Sequence, residues 1–183
     1  MNNTLHIIID NSGSMRELGK RFIATNLVRY VRDIGIIQPE RFVPFNFKLF
    51  MCNDTVNEIT VLPNQDIELP QPTGKLNIEQ FLQLLEKEQP LSVLFLSDRL
   101  EKETFPRLKQ LTNCRFVFVA VGVDAKLPLK CNAPHLSAFC AEDISVALDF
   151  VLYPVSANET PPQSVNEIHL ENNTDSNKGD WDV

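Results

Sequence analysis

The stretch from Leu5 to Met15, Leu-His-Ile-Ile-Ile-Asp-Asn-Ser-Gly-Ser-Met, constrains the fold more than any other part of the chain. It opens on an apolar, β-branched run, His6 excepted, which suits a strand buried on both faces of a parallel sheet. Asp10, Ser12 and Ser14 follow, with Gly13 between the two hydroxyls, and a helical pattern begins at once. Three oxygen-bearing side chains are thus expected on a tight strand-to-helix turn at the carboxyl end of a strand. Open α/β sheets place their ligands there. Oxygen is a hard donor, and the set contains no Cys and no close His. Mg²⁺ accepts such ligands in near-octahedral geometry, and Mn²⁺ is compatible with them.

Beyond the turn, Leu18, Phe22, Leu27, Val31 and Ile34 recur at helical spacing, which predicts a helix from Met15 to about Ile34 with these residues against the sheet. Ser14 or Gly13 suits its N-cap. Arg16, Lys20, Arg29 and Arg32 fall on the other side and read as a solvated face. Gly35 and Pro39 close the segment. Phe42 to Met51 alternates as a half-exposed strand, with Pro44 at its start, a bulge or an edge. Thr55 to Leu62 reads as a short partner strand after the Asn53-Asp54 turn.

Pro63 to Lys75 is a polar loop. Leu76 to Glu88 is an amphipathic helix stopped by Pro90, and Leu91 to Leu96 is a second buried strand. A short helix is expected within Arg99 to Leu111, a strand over Arg115 to Val121, a last short strand over His135 to Cys140, and a helix over Ala141 to Leu152. Strands alternating with helices imply a parallel-dominated sheet covered on both faces.

Composition narrows the function classes. The net charge of −7 argues against binding to a phosphate backbone. No run reaches the roughly 18 apolar residues of a membrane span, and Met-Asn-Asn-Thr at the start has no signal-peptide character. Cys52, Cys114, Cys131 and Cys140 form no Cys-x-x-Cys pair and read as reduced thiols of a cytoplasmic protein. Export would instead allow a Cys131–Cys140 disulfide. The Asn-x-Thr triplets at Asn53 and Asn172 read as accidental. Residues 1–155 form one domain by this reading. The remainder, 156–183, holds six acidic residues and one Lys, hence −5 of the −7, and is expected to be disordered on its own. Its carboxylates are candidates to reach the metal turn in cis; the alternatives are a solubilising tail or one that docks elsewhere through Trp181.

Asp10-x-Ser12-x-Ser14 at the end of a first strand resembles the metal-ion-dependent adhesion site of von Willebrand factor A domains. The resemblance covers roughly Asn3 to Pro154. It implies a three-layer, doubly wound, mostly parallel sheet with helices on both faces and one antiparallel edge strand. It also implies two further site residues. Thr73, in Gln-Pro-Thr-Gly-Lys, matches the family's loop Thr. Asp98, in Phe-Leu-Ser-Asp, matches its later strand-end Asp. The chain departs from the family pattern in having Gln71-Pro72 where Gly-Gly is common, and Arg99 where Gly usually follows the Asp. The second departure sets a cation beside the metal.

By the resemblance, Ser12, Ser14 and Thr73 meet Mg²⁺ or Mn²⁺ through oxygen, and Asp10 and Asp98 supply negative charge. An Asp or Glu of a protein partner takes the open coordination position. Intracellular relatives act as adaptors beside chaperone-like ATPases or in kinase–phosphatase and stress-resistance systems. The rival reading is a Mg²⁺-dependent phosphohydrolase or phosphotransferase with Asp10 at its centre. That chemistry wants a second acid two residues on, where this chain has Ser12, so a non-enzymatic binding module is expected. A third class keeps the fold and binds no metal.

Overall fold

The computed structural model describes residues 4–42, 45–62, 65–127 and 133–153. Six strands form one sheet: β1 (Thr4–Asp10), β2 (Asn46–Cys52), β3 (Val56–Ile59), β4 (Ser92–Ser97), β5 (Arg115–Ala120) and β6 (Leu136–Cys140). Their order is β3-β2-β1-β4-β5-β6. Every neighbouring pair is parallel except β2 with β3, which is antiparallel at the edge. The helices are α1 (Lys20–Ile37), α2 (Ile78–Glu88), α3 (Phe105–Leu108) and α4 (Ile144–Leu152).

Strand β1 is central because it is apolar on both sides. Leu5, Ile7 and Ile9 pack into one core with Val28 and Val31 of α1 and Leu148 and Val151 of α4. Ile8 faces the other core, with Phe81 and Leu85 of α2 and an aromatic cluster of Phe95, Phe116 and Phe118. From β1 the chain winds outward to β2, and from β4 it winds the other way to β5 and β6. The sense of winding reverses between β1 and β4, so a crevice opens outside their carboxyl ends. Asp10 ends β1, and Asp98 follows β4 directly.

The first helix departs from expectation. Gly13–Gly19 is a tight 3-10 segment in which Glu17 and Leu18 leave helical geometry, and α1 begins only at Lys20. Leu18 at φ 50° and Gly19 at φ 73° are both left-handed. The cap of α1 is therefore Gly19, not Gly13 or Ser14, and Gly35 lies inside the helix. The break rotates the helix phase. Leu18 and Phe22, expected against the sheet, are 66% and 68% exposed, whereas Lys20, expected in solvent, is 1% exposed. Leu27, Val31 and Ile34 do face the core.

Two more members of the basic face are also not merely solvated. Arg29 binds the Asp66 carboxylate, and Arg32 Nη1 donates to the Gln65 carbonyl. Arg21 Nε donates to the Leu69 carbonyl at 2.9 Å. Together they clamp the loop whose Ile67 and Leu69 are buried in the α1 core.

The remaining elements fall where expected, most with shorter ends, whereas β2 and β4 each run one residue further, to Cys52 and Ser97. The short helix after β4 is a 3-10 turn, Lys102–Thr104, leading into α3, and α4 follows a 3-10 turn over Ala141–Asp143. Pro44, Cys131, Asn172 and the tail from 156 lie outside the described residues. Cys52, Cys114 and Cys140 are free, and burial pushes the Cys52 and Cys114 thiols up to about 12.

Two expected results arise from these elements. The Asn77 side chain accepts the Gln80 N–H at 3.1 Å and caps α2. Asn77→Ala should cost about 1 kcal/mol in urea unfolding. His6 is buried and stacks on Phe50, with ring centroids 5.7 Å apart. Burial, then Lys48, hold its pKa below the ordinary value, against the pull of Glu88 at 3.7 Å. A depressed His pKa means that the unfolded chain takes up its proton first on acidification. The stability from neutral His6 is therefore complete above about pH 6.5 and is lost as pH falls through the lower folded value. Urea unfolding between pH 7 and 5 should show this loss, and His6→Phe should flatten it.

Candidate metal centre

The Asp10 turn is built from its own backbone and from β4. Asn11 N–H donates to the Cys52 carbonyl at 2.7 Å, extending the β1–β2 ladder past the strand. Asp10 Oδ1 then accepts the Ser12 N–H at 2.8 Å, which folds the chain back over the strand end. Asp10 Oδ2 lies 2.6 Å from the Ser97 hydroxyl. That hydroxyl is also 2.8 Å from the Arg99 carbonyl, but the carboxylate is the stronger acceptor for its one proton. Both oxygens of Asp10 are thus engaged. Burial pushes its carboxyl pKa up, opposed by the hydrogen bonds from Ser97 and Ser12.

A chain of oxygens leads from this turn to β4. Ser12 Oγ and Ser14 Oγ are 3.2 Å apart, and Ser14 Oγ donates to Asp98 Oδ1 at 3.2 Å. Adjacent ligands of an octahedron with bonds of about 2.0–2.1 Å stand about 3 Å apart. The two hydroxyls and the Asp98 oxygen therefore already have the spacing of neighbouring ligands of Mg²⁺ or Mn²⁺. Among the described residues no group of three or more His, Cys, Asp or Glu side chains is arranged to hold a metal. The candidate rests on this mixed hydroxyl–carboxylate set, which suits a hard ion that retains some of its water.

Thr73 reaches the turn through backbone. Its N–H donates to the Asn11 carbonyl at 2.8 Å, and Gly13 N–H donates to the Gly74 carbonyl at 3.1 Å. The Thr73 hydroxyl is exposed and lies 3.5 Å from Asn53 Nδ2, outside the Ser12–Ser14–Asp98 chain. Gly74 has φ +70°, and a Cβ there would lie 2.0 Å from Asp54 Oδ2. A glycine therefore suits this left-handed position, where the loop passes the Asp54 carboxylate of the β2–β3 connection.

Three residues at the site were not expected there. Ser97 holds Asp10, as described. Lys20 Nζ donates to Asp98 Oδ2 and to Asp124 Oδ2, each at 2.8 Å. Burial opposes the Lys20 charge, but Asp124 and Asp98 outweigh it and hold the pKa above its ordinary value. Asp124, hydrogen-bonded to Lys20, is held below the usual carboxylate range. Arg99, flagged as a nearby cation, is exposed and donates its backbone N–H to Ser97 Oγ. Asp10, Asp98 and Asp124 against one ammonium leave a formal charge of −2, which one divalent ion would balance.

No protein-family model and no curated protein matches the chain. Its fold is similar to that of several solved structures. Proximal thread matrix protein 1 from the mussel byssus, in a structure described as having a zinc-occupied MIDAS motif, is 13% identical over 81% of this chain and 44% of its own, with a TM-score of 0.48. A von Willebrand factor type A protein from Catenulispora acidiphila is 15% identical over 81% and 41% of the two chains, with a TM-score of 0.48. An aerotolerance-related membrane protein from Bacteroides fragilis is 13% identical over 70% and 73%, with a TM-score of 0.46. The chain spans less than half the length of the first two. These are likenesses of fold.

Proposed function

We propose that this chain is a non-enzymatic binding module that takes up an Asp or Glu of a protein partner through a divalent ion at the β1–β4 crevice. The observation that carries the reading is the oxygen chain Ser12–Ser14–Asp98, with steps of 3.2 Å, at the carboxyl ends of those strands. Ser12, Ser14 and Asp98 would hold Mg²⁺ or Mn²⁺ directly. Asp10 would orient its waters, and Thr73 would act from the adjoining loop. The bound ion supplies a Lewis-acidic position for an incoming carboxylate. The protein's part is to bring these oxygens to one point, balance their charge and keep them rigid through Ser97 and the backbone bonds to the Thr73 loop.

The engagement of both Asp10 oxygens favours binding over catalysis. A carboxylate held by Ser12 N–H and the Ser97 hydroxyl is a poor nucleophile, and Ser12 stands where a phosphotransferase wants its acid. No metal-dependent hydrolysis of phosphomonoesters or nucleotides is expected. Turnover by wild-type protein that vanishes in Asp10→Asn would instead make the chain an enzyme. A cytoplasmic setting is part of this proposal and rests on the cysteine pattern of the sequence. In this proposal residues 1–155 are the binding unit. The test of function is retention of a partner on immobilised protein with Mg²⁺, its release by chelator, and loss of both in Asp10→Asn. Retention that ignores chelator contradicts the proposal.

A further inference from the structure

Lys20 is the largest fully buried side chain at the site, and its position is elaborately prepared. The left-handed pair Leu18 and Gly19 turns the start of α1 so that Lys20 points inward. An L-residue in that conformation is costly, and such strain gathers at functional sites. Gly122 leaves room for the lysine stem: a Cβ there would lie 2.9 Å from both Cγ and Cε of Lys20. The ammonium is held between two carboxylates of different character. Asp98 is buried beside Ser14, whereas the Asp124 side chain is 47% exposed. The carboxylate that completes the oxygen chain is therefore the one that Lys20 also claims.

Resting on the metal-binding reading above, we propose that Lys20 is a built-in competitor of the divalent ion for Asp98, and that Asp124 is the anchor onto which it withdraws. The ammonium and the ion draw on the same carboxylate charge. A protein that held Lys20 by Asp98 alone would have to expel a buried, unpaired cation on binding metal. Asp124 removes that cost, because it already shares the ammonium at the same 2.8 Å distance. Lys20 and Asp124 thus set the ion affinity of the site without ligating the ion. The two residues should act in opposite directions.

The test is calorimetric titration of the full chain with MnCl₂, comparing wild type, Lys20→Met, Lys20→Gln, Asp124→Asn and Asp10→Asn. Removing one positive charge a few ångströms from the ion should tighten Mn²⁺ binding on the order of tenfold in the Lys20 variants. Asp124→Asn leaves Lys20 only Asp98 and should weaken binding by a similar factor. Its half-exposed side chain makes it safe for folding if the Lys20 variants do not fold. Equal affinity in wild type and Asp124→Asn, or weaker binding in a folded Lys20 variant, overturns the proposal. If Asp10→Asn alone loses binding, the metal reading stands and the role of Lys20 falls. If wild type shows no heat but a Lys20 variant binds, Lys20 is the competitor in its strongest form. If none binds at millimolar Mn²⁺, both readings fall.

Discussion

Phe95→Ala should cost about 3–5 kcal/mol in urea unfolding, a large share of the roughly 5–15 kcal/mol by which domains are stable. Phe95 is fully buried in β4, with ring centroids 4.8 Å from Phe81, 6.1 Å from Phe116 and 6.1 Å from Phe118. Truncation removes one member of a cluster that joins β4 and β5 to α2. The neighbouring rings are themselves held by strands and a helix, so the cavity cannot close without moving the sheet. The effect should reach the crevice as well, because β4 delivers Ser97 and Asp98. A loss below 1 kcal/mol would mean that the aromatic cluster is not the core of that face.

Asp10→Asn should abolish stabilisation by Mg²⁺ or Mn²⁺. An ion that binds only the folded chain adds about 2.7 kcal/mol at a hundredfold excess over Kd, which for a protein of this size raises Tm by roughly 5–10 °C. The substitution keeps the shape of Asp10 but removes its charge, and it puts an amide where the Ser12 N–H or Ser97 hydroxyl now finds an oxygen. Lower Tm without metal is therefore also expected. Differential scanning calorimetry with and without saturating metal separates the two effects. A metal-induced rise that survives in Asp10→Asn would place the ion elsewhere.

What could be read from sequence divides by range. The strand Leu5 to Ile9, the turn after it and the buried run before Asp98 are local patterns of apolar period and turn chemistry, and the structure places them as expected. The antiparallel edge and both faces of helices agree with the architecture that the resemblance implied. Lys20 was not legible, because its direction depends on a left-handed Leu18 that no propensity indicates. Its partners Asp98 and Asp124 lie 78 and 104 residues away in the chain. The same range hid the bonds from Arg21, Arg29 and Arg32 to the loop before Thr73, which made a clamp look like a solvated face. Ser97 had only its place beside Asp98 to mark it. Thr73 matches a family motif, but the structure ties its loop to the turn through backbone bonds at Asn11 and Gly13 and leaves its hydroxyl outside the Ser12–Ser14–Asp98 chain.

Anomalous scattering from crystals soaked in MnCl₂ tests the central claim most directly, because it locates the ion without assuming its ligands. The account predicts one strong peak at the β1–β4 crevice, within coordination distance of Ser12 Oγ, Ser14 Oγ and an Asp98 oxygen, and its absence in Asp10→Asn crystals. A crevice without a peak, or a peak away from Ser12 and Ser14, would contradict it.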